Sequence, residues 1–176
     1  PASTMVVFPH CKINLGLHIV SRREDGYHTI ETCFYPVPWT DILEIIKAEK
    51  FSFSNSGLDI PGNQEDNLCI KAYRLLQRDF DLSPVQMHLH KVIPTGAGLG
   101  GGSSDAAFAL RTLNSIFNLK LSKQQLNGYA SQLGSDCSFF VDDMPMLGSS
   151  RGEILTPTLL KLKGMFLVLV KPGIHV

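Results

Sequence analysis

Residues 94 to 107 read Pro-Thr-Gly-Ala-Gly-Leu-Gly-Gly-Gly-Ser-Ser-Asp-Ala-Ala, and glycine at that density points to phosphate chemistry. Glycine lets backbone N–H groups approach an anion with no Cβ in the way. A helix beginning at the same place turns its unpaired N–H groups and the positive end of its dipole toward that anion. Elsewhere, Lys12 and Asn14 lie two positions apart, Tyr27-His28 follows Asp25-Gly26, and Asp136 follows Leu133-Gly134-Ser135. Lys12 can neutralise charge, Tyr27 and His28 can stack on and hydrogen-bond a base, and Asp136 can accept a proton.

Each of these has a plainer alternative. Lys12 can be a solvated surface lysine, Asp136 a cap on the next turn, and Tyr27-His28 the strand that follows an Asp-Gly hairpin turn. His88 and His90 fall on one strand face, but two ligands without a third do not make a metal site, and no metal ligands are assigned. The loop itself can be a Gly/Ser linker, a reading weakened by its place between a patterned strand and a patterned helix. Gly96-Ala97-Gly98-Leu99-Gly100-Gly101 satisfies the dinucleotide fingerprint, yet that fold needs a second parallel strand ending in an acid about twenty residues on. Asn118 to Ser122, a polar break, stand there instead. The Walker pattern needs a lysine where Gly102 stands.

The elements that must position these residues follow from periodicity. Val85, Met87 and Leu89 alternate with Gln86, His88 and His90, predicting a half-buried strand before the loop. Ala106, Ala109, Leu110, Leu113, Ile116 and Phe117 predict the helix after it. Lys12 to Val20 and His28 to Val37 predict strands joined by the turn Ser21 to Gly26, with a further strand over Asp41 to Ala48. In the first strand, Lys12, Asn14, Gly16 and His18 fall on one face and Ile13, Leu15, Leu17 and Ile19 on the other. The apolar face is expected to be core and the polar one free for a site. Asn67 to Phe80 predicts a helix, and Ser122 with Gln125 a capping box before another that Gly134 can close. Strands first, then helices mixed with a strand, give an α+β class.

The chain has 176 residues, 44% of them hydrophobic, and a net charge of zero, enough to bury one domain core. No bulk charge calls for nucleic acid or an anionic membrane, and the longest apolar run, Met165 to Val170, is too short to span a bilayer. Cys11, Cys33, Cys69 and Cys137 form no C-x-x-C pair and, without a signal peptide, read as reduced thiols of a cytoplasmic protein. Pro1 to Thr4 precede Met5 and are expected to be an appended remnant outside the fold.

Pro94 to Ala107 resembles the phosphate motif of the GHMP kinases. Lys12-Ile13-Asn14-Leu15, Asp25-Gly26-Tyr27-His28, Leu133-Gly134-Ser135-Asp136 with Phe139-Phe140, and Arg151-Gly152-Glu153 are similar to further motifs of that family, in its order. The resemblance covers nearly the whole chain from Met5 onward. It implies the family's N-terminal domain over residues 5–163, similar to domain 2 of ribosomal protein S5, and the start of a C-terminal domain over residues 164–176. It implies ATP held by Pro94, Thr95, Gly96, Ala97, Gly98, Leu99, Gly100, Gly101, Gly102, Ser103 and Ser104, with Asn67 and Lys91 on the adenine side. Mg²⁺ would bridge the phosphates, Ser103 or Ser104 supplying a hydroxyl. Asp105 would engage that ion indirectly or only stabilise the helix start.

Catalysis is expected from Lys12 and Asp136, and substrate binding from Asn14, Tyr27 and His28, the Tyr-His pair reading a cytidine. The implied reaction is ATP-dependent phosphorylation of the 2-hydroxyl of 4-diphosphocytidyl-2-C-methyl-D-erythritol, a small-molecule substrate of the non-mevalonate isoprenoid pathway. The rivals are another GHMP kinase acting on mevalonate or homoserine, a nucleotide-binding fragment without turnover, and an oxidoreductase. The chain departs from the family at Asp142-Asp143-Met144-Pro145 and at Ser150, which stands where the family has a glycine. The family continues past the position of Val176, so a chain of this extent is expected to be catalytically poor by itself.

Overall fold

The alternation of residues 85–91 is realised as a strand, β6 (Val85–Lys91), burying Val85, Met87, Leu89 and Lys91 and turning Gln86, His88 and His90 to the other face. The computed structural model describes residues 4–172. Around β6 a sheet forms from β1 (Thr4–Val7), β4 (Ile42–Lys47) and β5 (Ser52–Gly57), in the order β1-β4-β6-β5. β1 and β4 pair antiparallel, as do β4 and β6, whereas β5 runs parallel to β6. Leu43 and Ile45 join the buried stripe of β6, and α1 (Leu68–Asp79) and α2 (Gly101–Ile116) cover it. Ala106, Ala107 and Ala109 are fully buried, their small side chains letting α2 lie close to the sheet.

The helix boundaries follow the local signals. Asn67 caps α1, its Oδ1 accepting from the Cys69 N–H at 2.9 Å. Ser122 and Gln125 form the expected capping box at the start of α3 (Lys123–Leu133), and Gly134 closes that helix. α4 (Cys137–Asp142) follows directly and buries Phe139, Phe140 and Val141. The α+β class holds. After α2 the described chain enters α3 and α4, not the parallel strand a dinucleotide fold requires.

The second sheet has the order β2-β3-β7-β8, built from β2 (His10–Arg22), β3 (His28–Thr40), β7 (Met146–Ser149) and β8 (Ile154–Pro157). Here one expectation fails. Leu15, Leu17 and Ile19 are 36%, 55% and 59% exposed, so the apolar face of β2 is not core. Gly16 sits at φ 72 where the register with β3 shifts between Leu15 and Leu17, and a bulge of this kind breaks the period of two. Beyond it the β2–β3 ribbon extends past the helices that bury its first residues. Thr4 also departs from expectation: it opposes Ile46 in the first sheet rather than lying outside the fold, while Pro1 to Ser3 lie outside the described residues. No helix among the described residues is long and apolar enough to cross a membrane.

Candidate active site

Lys12 is 5% exposed, so it is not a surface lysine. Its Nζ donates to Asn14 Oδ1 at 2.7 Å and lies 3.5 Å from Asp136 Oδ2 and 5.1 Å from the centre of the Phe34 ring. Asn14 Nδ2 in turn donates to Thr32 Oγ1 at 2.9 Å, and that hydroxyl donates to the Gly16 carbonyl at 2.6 Å. Asn14 therefore has one orientation, carbonyl oxygen toward the ammonium. Thr32 carried no sequence signal for this role, because it sits across the ribbon on β3.

Asp136 precedes α4 but makes no capping hydrogen bond. Its side chain is 33% exposed and directed at Lys12, an acceptor open to a bound molecule on one side and held near a cation on the other. The glycine loop closes the third side. The Lys12 backbone N–H donates to the Leu99 carbonyl at 2.9 Å, tying the loop to the strand that carries the ammonium.

The helix start has features that suit an anion. Gly100, the N-cap of α2, is left-handed at φ 68 and carries no side chain to occupy the first turn. The Ser104 N–H bonds the Gly100 carbonyl, which leaves the N–H groups of residues 101–103 as the unpaired ones at the positive end of the dipole. Ser103 is partly exposed in that turn, whereas Ser104 is fully buried with its Oγ unpartnered, so only Ser103 can offer a hydroxyl to an ion at the surface. Asp105 is buried beneath the first turns of the helix. Its Oδ2 accepts from Lys91 Nζ at 2.9 Å inside the protein, and burial pushes its carboxyl up to about 8.

Gly100 also packs on the core. A Cβ there would lie 2.9 Å from Phe140 Cζ and 3.2 Å from Lys12 Cγ, whereas one at Gly98, also at positive φ, would meet nothing within 4 Å. Both Gly→Ala changes carry left-handed strain of roughly 1–2 kcal/mol. Gly100→Ala adds the displacement of a buried ring and is expected to lower Tm clearly further than Gly98→Ala. Thermal melts check this, and equal losses would show that Phe140 does not pack under the loop.

Asn67 and Lys91 meet beside the loop. They line a cleft of about 140 Å³ with Asn63, Thr95, Gly102 and Asp105. The Lys91 ammonium is itself engaged with Asp41 and Asp105, and Asn67 Oδ1 with the α1 N–H group. A second cleft of about 480 Å³ is lined by Tyr27, Ser131, Ser135, Ser138, Arg151 and Glu153, and includes the chain neighbour of Asp136. The Tyr27 ring is 59% exposed, with the Arg151 guanidinium 5.3 Å from its centre. His28 opens β3 in an exposed position and is not among the residues of this cleft.

The turn that carries Tyr27 is braced by the region where the chain departs from its resemblance. Ser150 adopts φ 63 without being glycine, its carbonyl accepts from the Ile30 N–H at 2.6 Å, and its hydroxyl accepts from Arg23. Asp143, at φ 58, binds His10 Nε2 and Arg111 Nη1 and clips the end of α4 to the start of β2.

Residues 67–145 match the GHMP kinases N terminal domain. The 4-diphosphocytidyl-2-C-methyl-D-erythritol kinase of Cytophaga hutchinsonii is 52% identical over 173 residues, covering 98% of this chain and 64% of the relative. That of Bacteroides thetaiotaomicron is 51% identical over 176 residues with the same coverage. The chain thus spans 64% of the length of these curated relatives. A crystal structure of 4-(cytidine 5'-diphospho)-2C-methyl-D-erythritol kinase superposes with a TM-score of 0.78 at 34% identity, over 89% of this chain and 56% of that one. Homoserine kinase from Cytophaga hutchinsonii superposes with a TM-score of 0.63 at 14% identity, over 82% of this chain and 48% of that one, a likeness of fold alone.

Proposed function

We propose that the chain belongs to the GHMP kinase family and serves the ATP-dependent phosphorylation of the 2-hydroxyl of 4-diphosphocytidyl-2-C-methyl-D-erythritol in isoprenoid synthesis in the cytoplasm. The observation that carries this reading is the meeting of Lys12 Nζ and Asp136 Oδ2 at 3.5 Å under a glycine loop bonded to the Lys12 backbone.

The unpaired N–H groups of residues 101–103 and the side-chain-free surface of the loop fit the phosphates of ATP, with Pro94 to Ser103 around them and Asn67 toward the adenine. Ser103 is the hydroxyl that would reach Mg²⁺, which when bound neutralises phosphate charge. Asp136 takes the proton of the 2-hydroxyl as its oxygen bonds the γ-phosphorus and the bond to the β–γ bridging oxygen breaks, giving the phosphate ester and ADP. Lys12, oriented by Asn14, stabilises the negative charge that develops on that oxygen.

Tyr27 offers a stacking face for the cytosine in the cleft it shares with Ser135, and His28, outside that lining at the start of β3, would have to turn toward the cleft to hydrogen-bond the base edge. Residues 5–163 form the N-terminal unit, which Thr4 joins through β1, and residues 164–176 begin the next one. The large exposure of Phe166, Val168 and Val170, at 101%, 83% and 84%, supports a covering partner for that segment, whose last residues 173–176 lie outside the described ones.

The test is phosphoryl transfer from Mg-ATP by the full-length protein to the cytidyl substrate, to mevalonate and to homoserine, read by ³¹P NMR. Transfer to the cytidyl substrate is expected; equal transfer to an acceptor without cytidine overturns the assignment. In the same assay Tyr27→Ala removes stacking of about 1–3 kcal/mol per base and is expected to raise the cytidyl KM roughly 5- to 150-fold with the ATP KM nearly unchanged.

A further inference from the structure

The buried face of the first sheet ends, at the edge facing the phosphate loop, in charged residues rather than apolar ones. β4 and β6 are antiparallel with Ile42 opposite His90, so the residue before β4, Asp41, stands across from Lys91. Both continue the stripes of Leu43 and Ile45 and of Met87 and Leu89 into the interior, where Asp41 is 0% and Lys91 2% exposed. A carboxylate taken wholly out of water needs donors for both oxygens.

Asp41 finds them in the chain that enters the loop. Its Oδ1 accepts from the Val92 N–H at 2.6 Å and the Ile93 N–H at 2.8 Å, and its Oδ2 from Lys91 Nζ at 2.6 Å. Lys91 Nζ also donates to Asp105 Oδ2 on α2, and lies 3.2 Å from where a Gly101 Cβ would be. One side chain, distant in sequence, therefore holds the residues immediately before Pro94 and, through Lys91, the first turns of the helix after Gly100. We propose that Asp41 is a positioning residue for the phosphate loop, fixing its entry directly and its exit through Lys91 and Asp105.

Any carboxylate this deeply buried needs donors for its second oxygen, but they could come from anywhere in the fold. Here both come from the backbone that leads into the loop, which ties the buried charge to the position of the loop. The proposal rests on the reading of residues 94–104 as a nucleotide-phosphate loop, and its test separates the two. Asp41→Asn/Lys91→Met abolishes the pair but keeps a carbonyl oxygen for Val92 and Ile93, while Asp41→Leu/Lys91→Met removes that acceptor as well. Both leave Asp105 without its lysine, so that loss is common to the comparison.

Hydrogen exchange of residues 92–101 is expected to be roughly tenfold faster in the Leu/Met protein than in the Asn/Met protein, with exchange in the interior of α1 and α2 alike in both. The KM for Mg-ATP in full-length protein should rise in the same order, with the KM for the acceptor unchanged. Equal loop exchange in the two variants overturns the proposal even if kinase activity is present. Differing loop exchange in a protein that fails to bind Mg-ATP upholds the clamp and overturns the kinase reading instead. Should the Leu/Met protein not fold, Asp41→Asn alone decides the matter. Its amide must turn NH₂ either to the loop amides, loosening the entry at residues 92–93, or to the Lys91 ammonium, loosening the exit at residues 101–104 that Asp41 holds through Lys91. Faster exchange at either end therefore supports the proposal, and unchanged exchange at both overturns it.

Discussion

Asp136→Asn is expected to lower kcat by about 10² to 10⁴ in the full-length protein while Mg-ATP affinity stays within about twofold, because the change removes a proton acceptor and little else. The side chain makes no capping bond, and its contact with Lys12 at 3.5 Å is a charge contact, since the Lys12 hydrogen bond goes to Asn14 at 2.7 Å. An amide of the same shape therefore leaves the loop, β2 and α4 where they are, and Tm should move little. Phosphoryl transfer depends chiefly on positioning and charge, which places the expected loss nearer the lower end of the range. Calorimetric titration with Mg-ATP and a progress curve at saturating substrates measure the two quantities. A variant that kept most of its kcat would remove Asp136 from the mechanism as base, and one that lost ATP binding would make it part of the nucleotide site.

What could be read in advance divides along the range of the interactions. The strand β6, the glycine loop and α2 are encoded by contiguous pattern, and so is the Ser122-Gln125 box, which concerns residues three apart. β7 and β8 are four residues each and β5 is mostly serine, asparagine and glycine, so neither length nor apolar alternation marks them. The apolar face of β2 does not become core because the strand is exposed on both faces from Leu15 onward, and where a ribbon leaves the core is visible only when its tertiary neighbours are known. Lys12, Asp136 and Tyr27 stand out by motif. Thr32 and Asp41, which orient them or their loop, are ordinary residues whose partners lie 18 and about 50 positions away along the chain. Sequence pattern identifies the groups that touch a ligand better than the groups that aim them, since the latter are chosen by tertiary contacts.

Lys12→Met separates charge from packing at the same site. Methionine keeps an unbranched apolar stem of similar length against Phe34 and beneath Gly100, so the interior stays filled. The Nζ–Asn14 hydrogen bond and the positive charge beside Asp136 disappear. Removing one partner leaves Asn14 Oδ1 without its donor and Asp136 without its cation, at a cost of about 1–3 kcal/mol for the orphaned acceptor, so Tm is expected to fall modestly. Turnover is expected to fall by about 10² to 10³, the typical cost of removing one preorganised donor from a developing negative charge. Lys12→Arg should not restore it, because a planar fork cannot occupy the space between Phe34, Asn14 and the loop as a compact ammonium does. The double variant with Asp136→Asn should be little worse than the poorer single variant, as for residues that act as one unit. Multiplicative losses would mean that lysine and aspartate act at separate points of the reaction, and a large fall in Tm with intact kcat per folded molecule would reduce Lys12 to a structural cation.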